Sequence, residues 1–146
     1  MGTYLMCLLL ALGQTSGETG GAPRAEVGFD AAGVERCIQD YLEGTSQGRP
    51  AQIERAFLAT AGLQFVAEGK PKRRTLQQYL SYFKEGVAHD RKGRLVSADI
   101  TGNACMAKVE IVMRGRRYTD YLLLLKVEDG WRIAEKIFFA PEQAER

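Results

Sequence analysis

Asp120 is the side chain in this 146-residue sequence with the strongest reason to do chemistry. It sits in Tyr118-Thr119-Asp120-Tyr121, ahead of a run of leucines, and aspartate is a poor strand former. Two causes for its presence are open. Turned into an apolar cavity, the carboxylate could serve as a general base or a ligand anchor. Turned outward, it would pair with an arginine of the Arg114–Arg117 turn. Turn length decides the face, because a slip of one residue reverses it. His89 is the only histidine. Beside Asp90, Arg91 and Lys92 it reads as a solvated loop residue, the alternative being a base over a cavity mouth. Trp131 and the pair Phe138-Phe139 read as core packing, or as the lining of a pocket or interface. Glu110 and Glu135 alternate with apolar neighbours and read as exposed strand positions.

Other chemistries lack their residues. Cys7, Cys37 and Cys105 show no CxxC or Cys/His spacing, which removes the usual zinc patterns, and no metal is expected. Cys37 and Cys105 fall on apolar faces and read as small buried hydrophobes. There is no Gly-rich phosphate loop, no Ser/His/Asp set and no carboxylate pair of useful spacing. A net charge of +2 is too mild for a nucleic-acid protein. The basic clusters Lys70–Arg74, Arg91–Arg94 and Arg114–Arg117 read as solvated loop tips, with an anion or acidic-partner patch as the alternative.

The elements that would position these residues follow from periodicity. Asp30 can cap a helix whose apolar positions Val34, Cys37, Ile38, Tyr41 and Leu42 share one face, with Gly44 and Thr45–Gly48 ending it. Pro50 suits the first turn of a second helix, Ala51–Phe57, with Ile53, Ala56 and Phe57 inward. Leu63–Ala67 is strand-like, and Glu68–Pro71 turns it. Thr75 caps a third helix, Leu76–Glu85, with Leu76, Tyr79, Leu80 and Phe83 along one face. A polar loop, Gly86–Gly93, precedes a strand at Leu95–Ile100. Cys105–Met113 then alternates cleanly, with turns at Gly115 and at Asp129-Gly130. Leu122–Leu125 breaks the alternation, which predicts a central strand covered on both faces, the outer one by a second subunit. This order gives an α+β fold, a curved antiparallel sheet wrapped around about three helices with a cavity between them.

Tyr4–Leu12 is an apolar run of signal-peptide length, too short to span a membrane, though no Lys or Arg precedes it. Residues 1–27 are therefore set apart as an apolar segment and linker. Residues 28–140 form the domain and 141–146 a tail. The protein is expected to be exported if the segment is a signal peptide and cytoplasmic otherwise.

Several segments carry a family pattern. They are Ile38-Gln-Asp-Tyr41-Leu-Glu-Gly44-Thr45, Ile53-Glu-Arg-Ala-Phe57, Ala107-Lys-Val-Glu110, Arg117-Tyr-Thr-Asp-Tyr121-Leu122, Leu125-Lys-Val127 and Gly130-Trp-Arg-Ile133 through Lys136-Ile-Phe138. Over about Ala31 to Phe139 the chain resembles the nuclear transport factor 2-like superfamily, with its cystatin-like cone. Within it, the chain is most similar to the branch known as putative lumazine-binding proteins, kin of the SnoaL-like polyketide cyclases. In ketosteroid isomerases of this fold a first-helix tyrosine donates to the developing oxyanion, and Tyr41 stands at the matching place. Tyr41 also reads as a core tyrosine. The isomerase base position is occupied here by Phe65. The His-Pro-Asp that many branch members carry after the phenylalanine is replaced by Leu58-Ala59-Thr60. Both departures weigh against an enzyme.

The expectation is thus a cavity lined by Tyr41, Phe57, Phe65, Tyr79, Phe83, Tyr118, Asp120 and Trp131. It would hold a small apolar or aromatic molecule, without a cofactor and without covalent catalysis. The alternatives are a cofactor-independent isomerase, cyclase or dehydratase using Tyr41 and Asp120, and a homodimeric interaction module joined through the sheet.

Overall fold

The computed structural model describes residues 27–139. The expected tail and, apart from Val27, the expected N-terminal segment lie outside them. Three helices and six strands follow in the order α1 (Val27–Gln47), α2 (Pro50–Ala56), β1 (Phe57–Ala67), β2 (Lys70–Thr75), α3 (Leu76–Leu80), β3 (Arg91–Thr101), β4 (Ala104–Met113), β5 (Arg116–Val127) and β6 (Gly130–Phe139). The strands form one sheet ordered β2-β1-β6-β5-β4-β3. Every neighbouring pair is antiparallel except β1 with β6. The helices pack on one face, α1 against β3 and β6, and α2 and α3 against β1. This is the expected α+β architecture.

The α1 stripe matches the periodicity: Val34, Cys37, Ile38 and Tyr41 are buried and Leu42 packs against the core. The helix does not stop at Gly44, however, and it begins before Asp30. Gly44 is helical because α2 crosses there. A Cβ at Gly44 would stand 2.8 Å from Ile53 Cγ1 and 2.9 Å from Ile53 N, so only glycine permits the approach. The helix ends instead at Gly48, whose φ of +64° is the left-handed conformation usual just past a helix terminus. Pro50 opens α2 at its first turn. Thr75 caps α3 in a full capping box with Gln78, but α3 stops at Leu80, short of the expected Glu85.

One strand, and the start of another, lie where loops were expected. Lys70–Arg74, read as a basic loop tip, belongs to the edge strand β2, with Leu63 opposite Arg74. Its proline and exposed basic side chains leave no apolar period to read, and they also blunt the edge against further pairing. β3 begins at Arg91, four residues before the expected Leu95, and this places Arg91 in the sheet.

β5 is a central strand, and its outer face carries the side chains for which cover by a second subunit is expected. Leu122 and Leu124 are buried, whereas Leu123 is 53% and Leu125 43% exposed. Met106 and Ile137 are likewise exposed, on the strands flanking β5. The leucine run therefore alternates core and outer face like an ordinary strand.

An irregularity in β6 decides which of its side chains reach the interior. β6 pairs with β5 as Leu124 with Ile133, then Leu123 with Glu135, so Ala134 is an extra residue, a β-bulge. Before it Trp131 and Ile133 are buried; after it Lys136 is. Without the bulge the Asp129-Gly130 hairpin would pair Asp120 with Ile137 and leave Lys136 outside.

Candidate functional site

Four polar side chains converge between α1 and the sheet. Tyr41 comes from the core stripe of α1 and is 0% exposed; Asp120 of β5 is 1% and Lys136 of β6 is 4% exposed. Asp120 faces inward, opposite Val109 on one side and Phe138 on the other. Lys136 lies diagonally across from it, a spacing that a long side chain spans. Its ammonium stands 2.8 Å from Asp120 Oδ2 and donates at 2.5 Å to the Tyr41 hydroxyl. The Tyr41 O–H donates to Asp120 Oδ2 at 2.6 Å, and Arg91 Nη2 donates to the same phenol oxygen at 2.6 Å. A hydroxyl has one proton and two lone pairs. Those of Tyr41 are therefore all engaged.

Aromatic rings close around the lysine. Lys136 Nζ is 4.9 Å from the Tyr41 ring centroid, 5.4 Å from that of Tyr79 and 4.8 Å from that of Phe138. Ring faces attract a cation, so they offset part of the cost of burying it. Phe57 packs edge-on against Tyr41 at 5.5 Å.

Above this cluster lies a cavity of about 220 Å³, lined by Tyr79, Ile111, Met113, Tyr118 and Phe138 together with Arg74, Arg91, Asp120 and Lys136. Larger clefts exist elsewhere. One of about 470 Å³ is lined by Trp131, Gly33, Arg36, Cys37 and neighbours. Another, of about 510 Å³, is an apolar groove along Phe65, Val66, Tyr121, Ile137 and Phe139. Neither holds a cluster of buried ionic groups, and we take the small cavity as the candidate site for that reason.

The sequence-derived candidates divide accordingly. Tyr79, Tyr118 and Asp120 line the cavity, and Tyr41 lies beneath it, bonded to its floor. Phe57 is core, behind Tyr41. Phe83 packs on Tyr79 at 5.1 Å, outside the lining. Phe65 stacks on Phe138 at 4.9 Å and supports it from the groove side. Trp131 faces the other cleft, because it pairs with Lys126 at the far end of the β5–β6 hairpin. His89 is half-buried, with its ring edge on Phe83 at 5.2 Å, so the solvated-loop reading is corrected. Asp120 does not pair with the Arg114–Arg117 turn. Arg117 bonds Glu110 instead, on the outer face.

Sequence reasoning missed Lys136, Arg91 and Arg74 as site residues. For Lys136 a signal existed: a lysine in an apolar strand, one strand away from an unexplained aspartate. The bulge that turns it inward left no mark. Among the described residues no group of His, Cys, Asp and Glu is placed to hold a metal ion.

Burial also governs titration here. It pushes the Tyr41 phenol well above its ordinary range, the Asp120 carboxylate adding to the shift and Arg91 opposing it. Burial likewise raises the Cys37 thiol from 9.0 to about 12, with Arg132 pulling the other way. Its Sγ donates to the Ala56 carbonyl. Such a thiol is inert, being protonated and enclosed. Both groups stay protonated in the fold but ionise in the unfolded chain, which above its own pKa binds fewer protons. Stability is thus fully present below pH 9 and lost as pH rises toward 12. The slope expected is about 1.4 kcal/mol per pH unit for each group. Urea unfolding between about pH 8 and 11 measures it, and Cys37→Ala should reduce the earlier part of the loss, the Cys105 thiol, which burial also raises, keeping a share. A midpoint flat across that range would contradict the linkage.

The order and packing of these elements are those of an α+β cone with the nuclear transport factor 2-like, cystatin-like fold. A family model described as putative lumazine-binding matches residues 30–139, and the chain belongs to that family. A nuclear transport factor 2-like protein of unknown function from Shewanella baltica superposes with a TM-score of 0.71 at 23% identity, covering 80% of this chain and 98% of its own. A domain of unknown function with a cystatin-like fold from Nostoc punctiforme gives 0.59 at 12% identity, over 79% of each chain. By sequence, a protein named Aldolase FrzH from a Cladobotryum species is 24% identical over 101 residues, 67% of this chain and 81% of that protein.

Proposed function

We propose that this protein binds a small molecule in the cavity above Tyr41, Asp120, Lys136 and Arg91. The observation that supports it is a buried ionic cluster beneath an aromatic-walled cavity, in which two lining residues keep buried polar atoms without partners. These are Tyr79 Oη and Arg91 Nε. Buried polar atoms are normally hydrogen-bonded, and a bound molecule would supply what these two lack. The apolar walls, Ile111, Met113, Tyr118 and Phe138, take the body of the ligand. At about 220 Å³ the space is below the roughly 300–1,000 Å³ usual for drug-sized molecules, so the ligand is small.

Binding fits the geometry better than catalysis with Tyr41 as oxyanion donor. The Tyr41 proton already goes to Asp120, and Asp120 is itself tied to Lys136. An enzymatic version would instead use Asp120 as base, with Lys136 or Arg91 facing the new oxyanion. A fragment screen read by amide chemical shifts separates these readings. Hits should cluster on Ile111, Tyr118 and Phe138. Hits confined to the outer groove at Val66 and Phe139 would defeat the proposal. Deuterium wash-in beside the carbonyl of a bound ketone, lost in Asp120→Asn, would establish the enzymatic reading instead.

A further inference from the structure

The charges around the cavity do not balance. Arg74, Arg91 and Lys136 face it and Asp120 is the one lining carboxylate, a formal sum of three positive and one negative. Lys136 and Asp120 satisfy each other at 2.8 Å. The two guanidinium groups are the surplus. Arg91 donates to a phenol that burial keeps neutral, and Arg74 lies over the Phe65 ring at 4.5 Å and the Tyr82 ring at 5.3 Å. Among the described residues no carboxylate stands within ion-pair distance of either one. Elsewhere Arg55, Arg73, Arg94 and Arg117 each have an Asp or Glu partner, on more exposed surface. Three cations that face a half-enclosed, aromatic-walled space with a single carboxylate among them raise the cost of the empty site. An anion relieves that cost, and a neutral molecule does not.

The form of the anion follows from the donors. A guanidinium presents a planar fork that matches a carboxylate edge to edge. Arg91 still has its Nε free of partners, and the unpartnered Tyr79 hydroxyl can donate to a second oxygen. Phosphate groups are usually cradled by successive backbone N–H groups or a helix N-terminus; the lining here is side chains on strands and on the short α3. The remaining wall is apolar or aromatic. We propose that the ligand is a small organic acid, a carboxylate on an aromatic or unsaturated body. Its carboxylate is held by Arg91 and Arg74, and its body lies against Tyr118, Phe138, Ile111 and Met113. This inference rests on the binding reading above and gives that reading a chemical class.

The test compares matched pairs that differ only in charge: benzoate, phenylacetate and trans-cinnamate against their primary amides, at constant ionic strength with sodium sulfate as the anion control. Affinity is read by calorimetry and location by amide chemical shifts. The acids should bind about ten- to a hundredfold more tightly than the amides, the range of a charge-assisted hydrogen bond. Arg91→Gln and Arg74→Gln should each remove most of that preference, whereas Arg117→Gln, on the outer face, should leave it unchanged. Arg74→Gln guards against a folding artefact, since Arg74 is not part of the buried hydrogen-bond cluster. Amides binding in the cavity as tightly as acids would overturn the organic-acid inference and leave the binding proposal standing. No binding by either series, with the cavity resonances unmoved, would overturn both. Acids or sulfate shifting only Arg114–Arg117 or Lys70–Lys72 would mark loose anion attraction to the basic loops, and would also overturn the inference.

Discussion

Replacing Asp120 by leucine is expected to destabilise the fold by about 3–5 kcal/mol, the range for removing one partner of a buried ion pair. The change leaves Lys136 without its carboxylate at 4% exposure, and it leaves the Tyr41 hydroxyl without its acceptor. Arg91 bonds the same phenol oxygen, so two cations then share a buried site with no anion. Lys136→Met should cost less. Asp120 would keep the Tyr41 hydrogen bond and the field of Arg91, and the methionine stem would fill the space among Tyr41, Tyr79 and Phe138. In the double variant Asp120→Leu/Lys136→Met both charges are gone, and much of the loss should return. Urea unfolding of the set gives a double-mutant cycle. Additive losses would mean that the two residues do not form a coupled pair. A greater cost for Lys136→Met than for Asp120→Leu would reverse the expected electrostatic order.

That pair also marks where the sequence stops being readable. The α1 stripe, the β4 alternation, the Thr75 cap and the Asp129-Gly130 turn were legible because each rests on a local rule: a period, a cap or a turn residue. Asp120 was legible as an anomaly, but its direction was not, since nothing local distinguishes the two faces of a strand. Lys136 was hidden by a bulge at Ala134, and one inserted residue reverses every side chain beyond it. Arg91 was hidden by the extent of β3. The basic residues around it look like a loop, and they are strand only because β4 offers a partner as far as Met113. β2 was missed for the same reason: backbone pairing with β1 overrides the lack of an apolar pattern. Gly44 misled in the other direction, because a helix crossing, not a helix end, calls for glycine there. So the fold was legible from local signals, whereas the site is assembled from register and long-range pairing.

Gly48→Ala is expected to be strongly damaging although it touches none of the cluster. Gly48 has φ of +64°, where an L residue with a Cβ is strained by about 1–2 kcal/mol. The added Cβ would also meet the Val87 carbonyl oxygen at 2.1 Å and the Lys84 carbonyl oxygen at 2.6 Å. These are backbone atoms, so no side chain can swing aside to relieve the contact. The segment must move, and it is tied to this corner by hydrogen bonds from Gly86 N to Gly48 O and from His89 N to Ser46 O. Strain plus overpacking gives an expected loss of about 2–5 kcal/mol. A functional consequence should accompany it. The displaced segment leads into Arg91, whose guanidinium must reach Tyr41 from the start of β3, and it carries Phe83 and His89 against the Tyr79 side of the cavity. At a temperature where the variant is still folded, hydrogen exchange should quicken at Gly86 and His89, and chemical shifts should move at Tyr79 and Ile111. Gly86→Ala is the matched control: it shares a positive φ of +73°, but its Cβ would meet nothing within 4 Å. It should show the backbone strain alone, about 1–2 kcal/mol, and leave the cavity resonances in place. Equal losses in the two variants would mean that the close packing of Gly48 against the 84–87 backbone contributes nothing. Undisturbed Tyr79 and Ile111 signals in Gly48→Ala would mean that this corner of the fold does not hold the site.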